Sequence, residues 1–540
     1  MDAVKKATHI ARIKACPYSQ LAIIIVVVGH NMHIDSSQLT LFYCLVGLNT
    51  LFSGCMKPIT IKTHNNFVGR ERECQVLQKI AQQNEASIVV VYGRRRVGKT
   101  ALIEQTLRHR NLLKFEGIEG QPVVRQKENA LYQLSKYAKD PLFAKVQIKS
   151  WLEFFDILAP FVAQGQWTLY FEEVQWLANY ENDFITELKH AWDNCFRHNS
   201  QLAIVLCGSS PSFMIRHVLE SRALYNRSQH EIQLKEFDLL EARNFLHKRS
   251  LREVMDAYLS VGGIPEYLKW VNRESSVMLG LCHNAFVSDG FFVNEHKRIF
   301  TSSLAQNKNY KKIIQYLSKK RFATRNEILK HLKTESGGTL SALLLDLEMA
   351  GFITRYVPFY LVEKSALARY HISDFYLQFY FKFIQPIEKN IAAGDYNKNP
   401  ISALPQTSYQ TWAGFAFERV CKKFHRVIAR ILGFDSVKYR VGAFFSRETQ
   451  KQDAGCQIDL VFDRDDRVYT ICEIKYTQGL VGLSVLKEFE NKLAIFPNRK
   501  KHTIQKVLIT TDGADTALTN RVYFDRIITL KDIFNPHYWG

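Results

Sequence analysis

The chain has 540 residues, 46% hydrophobic and 23% charged, a composition that excludes a disordered or collagen-like chain and leaves room for about three or four domains. Lys and Arg outnumber Asp and Glu by 72 to 52, a formal charge of +20, which favours polyanionic partners, nucleic acid first. Ten cysteines with no CxxC pair exclude a zinc framework and a disulfide scaffold and point to the reducing cytoplasm.

Residues 1–55 hold two apolar runs, "LAIIIVVVG" (21–29) and "LTLFYCLVGLNTLF" (39–52). Each falls short of the roughly 20 residues that span a bilayer. The segment is either an artefact of start-codon choice, with Met56 the true start, or a membrane-associating leader. No stable membrane partner is expected.

From 56 to 235 strand and helix signals alternate. "ASIVVVYG" (86–93), "WTLYF" (167–171) and "LAIVLCG" (202–208) are continuous apolar runs, the mark of buried parallel strands between helices. The expected fold class is α/β, with a doubly wound parallel-sheet core. Residues 236–300 read as helical, punctuated by "GGIPEYL" (262–268).

Residues 301–386 change pattern. "YKKIIQYLSK", a capping box at Thr324 and Glu327, and "TLSALLLDLEMAG" predict three short helices, and "FITRYVPFYLV" a strand or hairpin. This is the winged helix-turn-helix pattern. Residues 297–333 carry eleven Lys or Arg against one acid, Glu327, either a solvated surface or a polyanion-binding one. The aromatics of "YHISDFYLQFYFKFIQP" (370–386) recur at helical spacing, which predicts core packing over base stacking. Asn, Gly and Pro suggest a linker over 387–411, before a final domain at 412–540.

"GRRRVGKT" (93–100) follows a buried strand and opens a helix, and it fits GxxxxGK[ST]. Gly93 and Gly98 let backbone N–H groups wrap phosphates, Lys99 reaches the β/γ oxygens, and Thr100 binds Mg²⁺. The whole stretch Gly93, Arg94, Arg95, Arg96, Val97, Gly98, Lys99, Thr100 and Ala101 is the candidate nucleotide-binding segment. "LYFEEVQWLA" (169–178) ends a strand with two acids: Glu172 to hold Mg²⁺ through water, where Asp is usual, and Glu173 as the candidate base. Ser209 either senses a γ-phosphate or caps the next helix. Arg227 either neutralises charge in the transition state or is a surface residue.

Together "FVGRERE" (67–73), "GRRRVGKT", "LYFEEVQWLA", the "GSS" strand end, "LYNR" and "GGIPEYL" resemble the archaeal ATPase family, P-loop proteins close to the AAA+ and signal-transducing groups. The resemblance covers roughly 65–385. It implies ATP hydrolysis, adenine near the FVGRE stretch and a helical lid at GGIP; a homo-oligomer is a separate partner expectation. The chain departs from the family at Glu172 and at Asn226, where Asp and Gly are expected.

The last domain opens with "FAFERVCKKFHRVIARIL" (415–432), whose apolar stripe predicts a helix with Glu418 at its edge. "QIDLVFDRDDRVYTICEIKY" (457–476) reads as two strands. Asp459 lies on the first, while Glu473 and Lys475 share a face of the second. These are either a metal and water site or solvated ion pairs. Helix, Asp459 and Glu473-x-Lys475 resemble the PD-(D/E)xK nuclease-like, restriction-endonuclease-like fold. That resemblance implies Mg²⁺ on Asp459 and Glu473 with Glu418 assisting, and Lys475 beside the attacking hydroxide. The expected function is an ATPase acting on DNA through a nuclease-like domain. The alternative is a STAND-like regulatory switch whose terminal domain only binds DNA or protein.

Overall fold

The computed structural model describes residues 67–540 except 223, 225–227, 305–306, 321, 334–337, 358–367 and 447–455. The apolar segment 1–55 and the candidate Arg227 therefore lie outside the described residues.

Five strands form the first sheet: β1 (Ser87–Tyr92), β2 (Asn111–Glu116), β3 (Trp167–Glu172), β4 (Leu202–Gly208) and β5 (Ser228–Gln233). Their order is β2-β3-β4-β1-β5 and every neighbouring pair is parallel. Every residue of β1, β3 and β4 is buried, as a sheet covered on both faces requires. Ile88, Val90, Leu169, Phe171 and Ile204 pack on one face with the helices Trp151–Leu158 and Asp183–Asn194. Val89, Val91, Tyr170 and Val205 pack on the other with Glu71–Gln82 and Lys99–Leu107. Strands β2 and β5 were not anticipated; at the sheet edges their sequences, "NLLKFE" and "SQHEIQ", mix polar with apolar residues.

Five helices follow, between Leu239 and Ser303. The turn "GGIP" joins two of them, Leu251–Val261 and Pro265–Val271. Gly262 has φ 71°, and a Cβ on Gly263 would stand 2.0 Å from the Phe237 carbonyl oxygen, so a side chain fits at neither position. Pro265 occupies the first helical turn, where its missing N–H costs nothing.

The helices Lys308–Ser318, Arg325–Leu332 and Gly338–Met349 surround a small antiparallel sheet of β6 (Ala323–Thr324), β7 (Ile353–Tyr356) and β8 (Arg369–Ile372), in the order β6-β8-β7. The capping box is present: Thr324 accepts from the Glu327 N–H, and the Thr324 N–H donates to Glu327 at 2.6 Å. Phe375, Tyr376, Phe379, Tyr380 and Phe383 of the aromatic segment are buried, which is core packing. Residues 387–411, read as a linker, are themselves packed. They include the helix Glu388–Ala393 and the first turn of Gln406–Lys423, with Ile391, Leu404 and Tyr409 buried.

The last sheet holds β9 (Tyr439–Ser446), β10 (Cys456–Arg464), β11 (Val468–Lys475), β12 (Thr503–Thr510) and β13 (Arg526–Ile528), in the order β13-β12-β11-β10-β9. β9, β10 and β11 are antiparallel; β11, β12 and β13 are parallel. The predicted helix over 415–432 divides at Phe424 into Gln406–Lys423 and His425–Ile431. Phe417, Val420 and Cys421 pack with Leu460, Phe462, Cys472 and Ile474 on one face. Val485 and Phe489 of the helix Ser484–Ile495 pack with Val461, Ile471 and Leu508 on the other. A single hydrophobic core runs from Phe237 to Phe534, through the helices between Leu239 and Ser303, the small sheet and this last sheet.

Candidate nucleotide site and a second polar cluster

Strand β1 delivers the loop 93–98 to the C-terminal edge of the first sheet, and the helix Lys99–Leu107 carries the chain away. Gly93 has φ 155°, and a Cβ there would lie 2.1 Å from the Leu234 carbonyl oxygen. Gly98, with φ 95°, is the N-cap and gives the helix no side-chain cap, leaving its first N–H groups to an anion. Lys99 is 7% exposed, and its Nζ donates to the Gly93 and Arg94 carbonyl oxygens, each at 3.0 Å.

Glu172 ends β3 opposite the loop. Its Oε1 accepts from the Thr100 hydroxyl and, at 2.7 Å, from the Tyr170 hydroxyl. Its Oε2 lies 2.5 Å from Lys114 Nζ on β2. Burial pushes this carboxyl up, but the Lys114 ammonium and the two hydroxyl donors together hold it below its ordinary range. The extra methylene of Glu over Asp thus extends to Thr100 rather than folding back. Thr100 and Glu172 offer the hard oxygen donors that Mg²⁺ prefers, so the pair fits that ion.

Glu173, the candidate base, has φ 55° and points to β4. Its Oε2 accepts from the Ser209 backbone N–H at 3.0 Å and from Gln175 Nε2 at 2.7 Å. Gln175 Nε2 also donates to Ser209 Oγ at 3.0 Å. The next helix, Pro211–Phe213, has Ser210 at its N-cap, so Ser209 does not cap it; its hydroxyl belongs to the network that holds Glu173.

The three consecutive arginines of the loop go to three different elements. Arg94 Nη1 meets Asp374 Oδ2 at 2.6 Å, and its guanidinium lies 4.7 Å from the Phe352 ring centre. Asp374 in turn caps the helix Phe375–Phe379 through the Leu377 N–H. Arg95 makes an exposed 3.8 Å contact with Glu119. Arg96 is ion-paired with the fully buried Glu295 at 3.1 Å and covers the Phe291 ring. Val97 is buried, and its carbonyl accepts from Arg70 of the "FVGRE" stretch, which also donates to the Lys235 carbonyl at 2.6 Å. Ala101 lies in the first turn of the helix.

Sequence reasoning missed Lys114, Arg70, Gln175, Asp374 and Glu295. Lys114 carried a signal, a lysine inside an apolar run, but that run was not recognised as a strand. Asp374 and Glu295 lie about 200 residues or more from the loop, and nothing local marks them.

The other candidate residues lie on the last sheet. Lys475 Nζ is 3.0 Å from Glu473 Oε1 and 2.7 Å from Glu488 Oε2. Lys492 Nζ donates to both Glu473 oxygens at 2.8 Å. Asp459 is 6% exposed and accepts from Gln457 Nε2 at 2.6 Å. Glu473 and Lys475 therefore face the helix Ser484–Ile495, which supplies Lys492 and Glu488. Glu418 rides on the helix packed against the opposite face, 4.0 Å from Lys422. The structure brings Glu473 and Lys475 together but does not gather Glu418 with them. Among the described residues no group of three or more His, Cys, Asp or Glu side chains is placed to hold a metal ion. Strand alternation explains this: Cys472 and Ile474 face the Glu418 helix, so Glu473 and Lys475 turn away from it.

Residues 67–271 match the model of an ATPase domain found predominantly in Archaea. An uncharacterized protein of Methanocaldococcus jannaschii is 26% identical over 415 residues, 76% of this chain and 87% of its own. An uncharacterized ATP-binding protein of the same organism is 41% identical over 46 residues, 8% of this chain and 78% of its own. Among solved structures, a Walker-type ATPase of Pyrococcus abyssi aligns with a TM-score of 0.44 at 19% identity, over 61% of this chain and 99% of that one.

Proposed function

We propose that the chain binds and hydrolyses ATP with Mg²⁺ and couples turnover to the placement of its carboxyl-terminal half. The observation that carries the reading is the convergence of Lys99, Thr100, Glu172 and Glu173 around one glycine loop at the end of a parallel sheet. Thr100 and Glu172 would hold Mg²⁺, which supplies charge neutralisation on the phosphate oxygens. Lys99 exchanges two loop carbonyls for phosphate oxygens. Glu173 leaves the Ser209 N–H to take a proton from water. Arg94 and Arg96 tie the loop to Asp374 and Glu295, which gives a loop that shifts on turnover a direct mechanical link to the carboxyl-terminal half. The family match and an ATP-binding relative support this reading.

The object of that turnover is read from charge and topology. We read the helices Lys308–Met349 and β6–β8 as a winged helix, and β9–β13 with their flanking helices as a PD-(D/E)xK nuclease-like domain. With a formal charge of +20, DNA is the proposed partner and the cytoplasm the proposed location. No described helix is long and apolar enough to cross a membrane. A second reading has a specific observation in its favour. Lys492 holds both oxygens of Glu473, and Glu418 lies elsewhere, which suits a STAND-like switch whose terminal domain binds without cutting.

One experiment addresses both readings: ATP turnover with and without DNA, with cleavage products scored in the same tubes. Lys99→Ala should abolish nucleotide binding in a folded protein, and unchanged affinity would refute the ATPase reading. Mg²⁺-dependent cleavage that disappears in Asp459→Ala and Lys475→Ala, with ATP turnover intact, selects the nuclease. DNA-stimulated turnover without cleavage selects the switch.

A further inference from the structure

A groove of about 1810 Å³ opens between the small sheet, the helical segments Phe375–Phe379 and Tyr380–Ile384, the helix Gln406–Lys423, and β9. Eight lysine and arginine side chains line it against two carboxylates, Glu236 and Glu418. Both carboxylates are already paired with lysines of the same groove, Glu236 with Lys423 and Glu418 with Lys422. The surplus is positive, and Lys319, Lys320 and Lys382 stand exposed along it. Aromatic residues line it as well: Phe322, Tyr356, Phe381 and Phe415, with the buried Trp412 beneath, and Phe415 is 45% exposed on a helix whose neighbouring aromatics are buried.

We propose that this groove binds a single strand of nucleic acid, an inference that rests on the proposed DNA partnership and gives it a place. Cations alone would suit any polyanion. Aromatic rings in the same lining as cations suit one whose bases are unpaired, because only unstacked bases present their faces to an aromatic side chain. A duplex hides those faces, and an acidic peptide has none.

The groove also has a route to the nucleotide site. Gly351, Ser373 and Phe375 form part of its wall, and Asp374, between the last two, holds Arg94 of the phosphate loop. The Arg94 side chain passes directly behind Gly351, where a Cβ would be 3.6 Å from its Cδ. A strand seated against this wall therefore bears on the loop through one residue.

The test uses the full chain and a fluorescent oligothymidylate of about 20 nucleotides, read by anisotropy over a salt series. Lys319→Glu, Lys320→Glu and Lys382→Glu combined should weaken binding at least about tenfold and flatten the salt dependence. Phe415→Ala should weaken it with the salt slope unchanged. All three lysines are exposed, and retained ATP binding and circular dichroism certify the fold of the reversed variant. If single strands bind and the reversal changes nothing, the groove is overturned while the DNA partnership stands. If duplex binds more tightly than the single strand and is lost on reversal, the single-strand assignment is overturned. If neither binds, both inferences fall.

Discussion

Lys114 Nζ lies 2.5 Å from Glu172 Oε2, so the carboxylate that ends β3 already has a cation from the neighbouring strand. The contact is mostly buried, with side-chain exposures of 21% and 9%. Lys114→Ala leaves a buried carboxylate without its partner and should destabilise the fold by about 3 kcal/mol in denaturant melts. The double variant with Glu172→Gln should recover most of that loss, because the stranded charge is gone. A single variant as stable as the parent would show that Thr100 and Tyr170 satisfy Glu172 alone.

Glu173→Gln should keep nucleotide affinity and slow hydrolysis at least about 100-fold, in line with loss of a general base. The amide can still accept from the Ser209 N–H, so the local structure survives. Equal loss of affinity and rate would mark Glu173 as a structural acid.

The Arg94–Asp374 pair should show a coupling of about 2 kcal/mol in a double-mutant cycle, as a close, mostly buried pair does. Nucleotide affinity should fall in Asp374→Asn as well, although that residue lies 280 positions along the chain from Arg94. Affinity unchanged in Asp374→Asn would disconnect the loop from the carboxyl-terminal half.

Much of this was legible in the sequence, and the omissions have a physical pattern. β1, β3 and β4 are central strands buried on both faces, so their apolar runs are unbroken. β2 is an edge strand whose Lys114 points to Glu172, and that ion-paired lysine breaks the apolar run that would reveal the strand. Gly93, Gly98, Lys99 and Thr100 form a local motif and were readable. Asp374, Glu295 and Lys492 act only through tertiary contact, and no spacing in the chain announces them. The aromatic segment was readable as core because helical spacing gives its buried face directly. Where Glu418 lies relative to Glu473 depends on which face of the last sheet each helix covers, and that too is set by tertiary packing.

His296 is 7% exposed beside Tyr380 and close to Lys297 and Lys311. Burial, helped by those lysines, pulls its imidazole down to about 4. The unfolded chain takes this proton near 6.5 and the folded chain resists it to about 4. The unfolded state therefore binds more protons in that window, and stability falls as pH drops through it. The full contribution, present above pH 6.5, is about 3 kcal/mol by linkage. His296→Asn should flatten the melting temperature between pH 6.5 and 4 relative to the parent, and an unchanged slope would locate acid sensitivity elsewhere.

The core that runs unbroken from Phe237 to Phe534 has a consequence for how the chain comes apart. Arg243 donates to the Phe534 carbonyl and Tyr476 to Asp256, so polar contacts stitch the same seam. Separate modules would melt in steps, and either could be expressed without the other. Here any cut between them exposes half of one shared interior, so the carboxyl-terminal half should melt in one cooperative transition, and fragments ending near residue 400 should be insoluble.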